Sequence, residues 1–338
     1  MISLYAHRVF FALDFMKKRY LLAGIGGIAG AAVAYKLATR ERETSWERHA
    51  AVLPFADRSE FAEVDGVRIH YQEFGEKNAP PVLMIHGYSA STATWNNAAP
   101  RLAEAGFRVF VVDLIGFGFS EKPAWSDYTF DTQARMIVRL MNRLGIGRAT
   151  LIGSSYGGGV AAAVALDNPE RVEKLVLVSA ACNDEVRNFA ITKLITLPVV
   201  GDVFTPFLTG SKTYIKARLR SSLNSANYHL IDEDRIAGIM RPLQSADAHR
   251  ALLVSLKNWH AERIERNAPN IKQPTLLIWG ANDKVIPIHN GRTLHRLIPN
   301  SQLVVFKNCG HLPHDEYTDD FLEIVVNFCK DLNPNSGK

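Results

Sequence analysis

The chain has 338 residues, of which 47% are hydrophobic and 22% charged; these are the proportions of a globular protein with one sizeable core and room for an insertion, not of a disordered one. Its formal net charge of +5 lies wholly in the first forty residues, where Arg8, Lys17, Lys18, Arg19, Lys36 and Arg40 face Asp14 alone. The rest of the chain is neutral and gives no electrostatic reason to expect nucleic acid as a partner, and the three cysteines, Cys182, Cys309 and Cys329, lack the spacing of a zinc site or a disulfide framework.

The basic N-terminus surrounds an uncharged stretch from Tyr20 to Tyr35. As a helix it would cover roughly 24 Å, and snorkelling of Lys36 extends it toward the ~30 Å hydrocarbon core. Gly26 and Gly30 form a G-x-x-x-G face suited to close helix packing in lipid. We expect residues 1 to 45 to act as a membrane anchor. An export or organelle-targeting sequence cleaved near Ala32-Val33-Ala34 is the alternative, and a soluble helix packed on the domain is a third. Basic residues flank the stretch on both sides, so charge sets no orientation.

From residue 60 onward strand and helix patterns alternate. Phe61 to Val64 and Val67 to Phe74 flank Asp65-Gly66, a hairpin signal, so the sheet should begin antiparallel. Apolar runs at Pro81 to Ile85, Arg108 to Val112, Ala149 to Ile152 and Val172 to Val178 read as buried strands. Helical patterns lie between them around Trp95 to Ala105, Thr132 to Leu144 and Val160 to Leu166. Residues 182 to 266 are helix-like and irregular. The alternation resumes at Thr275 to Trp279 and Gln302 to Phe306, with a closing helix from Asp319 to Cys329. This order predicts an α/β fold with a mostly parallel sheet flanked by helices. Residues 46–181 and 267–338 form the core, and 182–266 form a helical cap inserted into it.

Gly153-Ser154-Ser155-Tyr156-Gly157 matches G-x-S-x-G and stands between a predicted strand and a predicted helix. That context makes Ser155 a nucleophile on a tight, strained turn, with the helix dipole favouring developing negative charge beside it; Ser154 has the wrong register. A serine hydroxyl needs a base. His311 follows the Gln302 to Phe306 strand and so should reach the same sheet edge, with His314 as the fallback. Asp283, after the Thr275 to Trp279 strand, is the carboxylate that would orient the imidazole. Asp184 is the runner-up, and Asp113 more readily fixes the loop that follows it. The backbone N–H groups of Tyr156 and of Tyr88, in His86-Gly87-Tyr88, are the expected oxyanion donors.

With these residues in view, the chain resembles the α/β-hydrolase superfamily over about residues 60 to 333. The matching pieces are His86-Gly87-Tyr88, the Asp113 to Ser120 segment with Gly116 and Gly118, the serine turn, Gly280-Ala281-Asn282-Asp283 and Gly310-His311. It is also similar to membrane-anchored monoacylglycerol lipase-like esterases. The resemblance implies a serine hydrolase that cleaves a carboxylic ester through an acyl-enzyme, with a small-molecule ester or lipid as substrate. No metal or organic cofactor is implied. Serine at 155 departs from relatives that use aspartate there, and His86-Gly87-Tyr88-Ser89 departs from the Gly-Pro-Gly loops of iminopeptidases and carbon–carbon bond hydrolases. A carbon–carbon hydrolase and a non-catalytic binding protein of the same fold remain the alternatives.

Overall fold

A computed structural model describes residues 41, 43–185, 190–197 and 200–331. The chain divides into two units, Met1–Glu41 and Arg42–Lys338, and the described residues belong almost entirely to the second. The anchor expected at the N-terminus therefore lies outside the described residues, apart from its last few positions. Among the described residues no helix is long and apolar enough to cross a membrane.

Eight strands form one sheet: β1 Ser59–Val64, β2 Val67–Phe74, β3 Pro81–Ile85, β4 Arg108–Val112, β5 Ala149–Ser154, β6 Val172–Val178, β7 Thr275–Gly280 and β8 Ser301–Phe306. Their spatial order is β1-β2-β4-β3-β5-β6-β7-β8. β1 pairs antiparallel with β2 across the Asp65-Gly66 turn, and β2 antiparallel with β4. Every pairing from β4 onward is parallel.

Parallel strands covered on both faces must be apolar at every position, because alternate side chains enter opposite layers. β3 shows this directly. Leu83 and Ile85 join Phe110, Val112, Leu151 and Leu177 in a core shared with the helices Phe130–Arg143 and Tyr156–Asp167. Val82 and Met84 enter the opposite layer with Val109, Ile152 and Ile278, beneath Trp95, Leu102 and Phe321. The helix Phe130–Arg143 starts where Thr129 accepts the Thr132 N–H at 3.2 Å, two residues before the start suggested by apolar spacing alone.

Between β6 and β7 the described chain is helical, with Ala190–Ile195, Val200–Thr209, Lys212–Ser222, Glu233–Met240, Ala246–Lys257 and Glu262–Asn267. These helices are tied to the rest of the fold by polar contacts distant in sequence. Tyr88 Oη donates to Leu252 O at 2.8 Å, Arg263 Nε donates to Asp131 Oδ1 at 2.7 Å, and Arg235 pairs with Asp315. All three cysteines are free thiols.

Candidate active site

The loops that leave the C-terminal ends of β3, β5, β7 and β8 carry the residues singled out from the sequence. At the end of β5, Ser155 adopts φ 53°, ψ −117°, a conformation costing on the order of 1–3 kcal/mol for a non-glycine residue. Its surroundings fix that conformation. Ser155 N donates to Val178 O at 2.9 Å, and Ser155 O accepts from Gly158 N at 3.0 Å and Ala181 N at 2.9 Å. Gly157 is required by close approach, since a Cβ there would collide with the carbonyl oxygens of Ile85 and His86. The helix Tyr156–Asp167 begins at this turn, so its N-terminal dipole is directed at the serine.

The His86-Gly87-Tyr88 loop lies directly against the nucleophile. A Cβ on Gly87 would stand 3.3 Å from Ser155 Cβ and 3.8 Å from its hydroxyl oxygen. Among the described residues, neither the Tyr88 nor the Tyr156 backbone N–H donates to an acceptor. The two phenols point elsewhere: Tyr156 Oη donates to Tyr128 O at 2.7 Å, and Tyr88 is held by Leu252. Burial raises both phenol pKa values well above the ordinary one, so both stay neutral.

Behind the loop, Asp113 acts as a fixed anchor. It is fully buried and accepts from His70 Nδ1 at 2.7 Å, Thr92 N at 2.6 Å and Phe119 N at 2.8 Å. Burial opposes its charge, but His70, His86 and these donors outweigh burial and hold its carboxyl below the usual range. His86 is neutral for the complementary reason, since burial lowers its pKa. It accepts from Leu114 N at 3.1 Å and bonds its own loop at Gly87 O at 2.8 Å. Asp113 thus organises the loops after β3 and β4, the role expected from its place ahead of the nucleophile.

His311 and Asp283 meet. His311 Nδ1 donates to Asp283 Oδ2 at 2.8 Å, and both side chains are buried. The other carboxylate oxygen accepts from Val285 N at 2.8 Å and Ile286 N at 2.9 Å, which sets the carboxylate plane. The bonded pair is His311–Asp283; no hydrogen bond joins Ser155 Oγ to the ring among the described residues. Asp184 is placed elsewhere, accepting Ala261 N at 2.7 Å at the start of the helix Glu262–Asn267. His314 does not meet Asp283. It is buried against Trp95, 4.6 Å between ring centroids, and burial lowers its pKa to about 4.

Two residues that matter here carried no sequence motif. Glu316 grips the histidine loop and the cap together. Its Oε1 accepts Gly310 N at 2.8 Å, and its Oε2 accepts Asn224 N and Asn227 Nδ2, both at 2.8 Å. Beside this grip, His311 N donates to Ser222 O at 2.6 Å. Arg218, on the cap helix Lys212–Ser222, donates to Ser89 Oγ. Only its place in a helix bearing four cations and no acid could have marked it out. A cleft of about 730 Å³ bounded by Asn183, Glu185, Thr192 and Glu265 includes none of Ser155, Asp283 and His311, so volume does not mark the site. Among the described residues no cluster of three or more His, Cys, Asp or Glu could hold a metal ion.

The chain as a whole has counterparts among known proteins. A family model described as alpha/beta hydrolase fold matches residues 80–208 and 210–318. The chain is 30% identical over 272 residues to the 2-hydroxy-6-oxononadienedioate/2-hydroxy-6-oxononatrienedioate hydrolase of Burkholderia vietnamiensis, covering 78% of this chain and 91% of that one. Among solved structures, the enol-lactonase of Burkholderia xenovorans LB400 superposes with a TM-score of 0.69 at 25% identity, over 80% of this chain and all of that one. A bacterial membrane phospholipase A superposes with a TM-score of 0.65 at 26% identity, over 93% of this chain and 99% of that one.

Proposed function

Given that the chain belongs to the alpha/beta hydrolase fold family, we propose that it is a serine hydrolase that cleaves a carboxylic ester through an acyl-enzyme. The observation that carries this reading is the strained Ser155 at the start of a helix, at the sheet edge that also holds the His311–Asp283 pair. Ser155 Oγ attacks the ester carbonyl while His311 Nε2 takes its proton, a contact that closes as substrate binds. Asp283 keeps the Nδ1–H tautomer and stabilises the imidazolium. The Tyr88 and Tyr156 N–H groups receive the oxyanion. His311 then protonates the leaving alcohol, and water releases the acid by the reverse sequence.

An apolar acyl group suits the cap, where Leu197 and Phe204 expose about half of their surface. A lipid or monoacylglycerol-like ester presented at a membrane is the form we favour, with Tyr20 to Tyr35 as the anchor that brings the enzyme there. The likeness to a membrane phospholipase A, which extends over more of this chain than the likeness to the enol-lactonase, supports that placement. Export or organelle targeting after cleavage is the alternative fate of the segment.

A second reading, carbon–carbon bond hydrolysis, has its own support in the likeness to the hydroxy-oxo-dienedioate hydrolase. The same serine and histidine would act on a ketone instead of an ester. Parallel assays separate the two: release of 4-nitrophenol from acyl esters of graded length, and loss of dienoate absorbance from a 2-hydroxy-6-oxo-dienoate. We expect ester turnover that disappears in Ser155→Ala. Dienoate turnover with inert esters would establish the second reading in its place.

A further inference from the structure

Arg218 has an environment that the proposed chemistry does not use. Arg218 is half-buried, and the one hydrogen bond of its guanidinium among the described residues goes to the uncharged Ser89 Oγ. No carboxylate among the described residues pairs with it. Its electrostatic neighbours are the phenols of Tyr214 and Tyr88, and burial, the largest influence, lowers its pKa. A guanidinium stays charged even there and presents five N–H donors in a planar fork. A partly desolvated cation without a counter-ion is held at some cost, and an arriving anion can use its remaining donors.

Its position bears on the reaction. Ser89 has φ 53° and is two residues beyond Gly87, where an added Cβ would stand 3.3 Å from Ser155 Cβ. On the other side, Arg218 lies one helical turn before Ser222, whose carbonyl accepts the His311 N–H. Arg218 is therefore gripped between the loop proposed to receive the oxyanion and the segment that seats the base. Lys216 and Arg220 on the same helix add positive charge, while Lys212 there is paired with Glu233.

We propose that Arg218 is an anion-recognition residue of the substrate site, and that the enzyme's substrates carry a carboxylate or phosphate close to the scissile carbonyl. The inference rests on Ser155 being the nucleophile. The guanidinium keeps its bond to Ser89 and directs the rest of its fork to the substrate anion, a charge-assisted and geometrically selective contact. An apolar chain under the cap and one anion at Arg218 together describe an amphipathic anionic ester.

The test compares matched substrates on the full chain. For carboxylates, the mono-4-nitrophenyl esters of succinic, glutaric and adipic acids are set against the 4-nitrophenyl esters of butanoic, pentanoic and hexanoic acids. For phosphates, 1-oleoylglycerol 3-phosphate is set against 1-oleoylglycerol, with fatty acid release as readout. The wild type should prefer the anionic member in at least one arm, and the preference should shrink as salt rises. Arg218→Gln should lower kcat/KM on the anionic member roughly 10- to 100-fold more than on its neutral mate, with Arg218→Lys recovering part of the difference. Neutral preference in both arms, or equal losses on both members, would overturn the proposal and leave Arg218 as a support for Ser89. If Arg218→Gln fails to melt cooperatively, the wild-type preference and its salt dependence decide alone. Turnover of neutral esters without any anionic preference removes this subsite only. Complete inertness toward esters and fluorophosphonates removes the ester-hydrolase reading as well.

Discussion

In the proposed mechanism Ser155, His311 and Asp283 divide the chemical work unequally, and their substitutions should show it. Ser155→Ala removes the nucleophile outright. Asp283→Asn retains a similar shape but loses the acceptor that selects the Nδ1–H tautomer, and ester kcat should fall by about 10³–10⁴-fold in steady-state assays. His314 makes a different prediction, about stability. Its folded pKa is lowered by burial to about 4, whereas an unfolded histidine titrates near ~6.5. The unfolded state therefore binds more protons between these values, so stability is full above the higher one and declines as pH falls toward the lower. The loss amounts to about 3 kcal/mol, and it should be reduced in His314→Phe when denaturant melts are followed from pH 7 to pH 4.

At the scale of elements, the turn after β5 is the most constrained piece of chain. Gly157→Ala forces a methyl group into the backbone at Ile85 and His86, which should cost about 3 kcal/mol and most of the ester activity; urea unfolding monitored by tryptophan fluorescence reads the first. The Glu316 grip should be milder. Glu316→Ala leaves Gly310 N and Asn224 N without their acceptor, so we expect a loss of about 1–3 kcal/mol and a fall in kcat. The turn was legible in sequence because its requirement is local: an apolar run, a G-x-S-x-G and an Ala-rich helix are adjacent in the chain. The strands were legible for the same reason, since burial on both faces leaves an uninterrupted apolar signature. The grips by Glu316 and Arg218 were not, because each joins positions far apart, 92 residues for Glu316–Asn224 and 129 for Arg218–Ser89, and neither leaves a periodic trace. The identity of the acid shows the limit of position alone: Asp184 and Asp283 both follow strands, and only folding sends one to His311 and the other to Ala261 N.

Over the whole molecule, the sheet supplies a fixed edge and the helices between β6 and β7 are bonded to the segments around it. The two meet at Glu316, at Arg235–Asp315 and at Ser222 O on His311 N. Arg42–Lys338 forms one compact unit; if residues 1 to 45 are the separable anchor proposed, a chain lacking residues 1 to 40 should turn over soluble esters at a rate within about twofold of the full chain. The same truncation should abolish flotation with phospholipid vesicles, which a vesicle co-flotation assay reads directly. Organisation at every scale converges on one atom, Ser155 Oγ, and mass spectrometry after exposure to a fluorophosphonate tests it most directly. A single adduct on the peptide containing Ser155, absent from Ser155→Ala and slowed in His311→Ala, is the expected result. No adduct on a cooperatively folded wild type, or an adduct that persists in Ser155→Ala, would contradict the assignment.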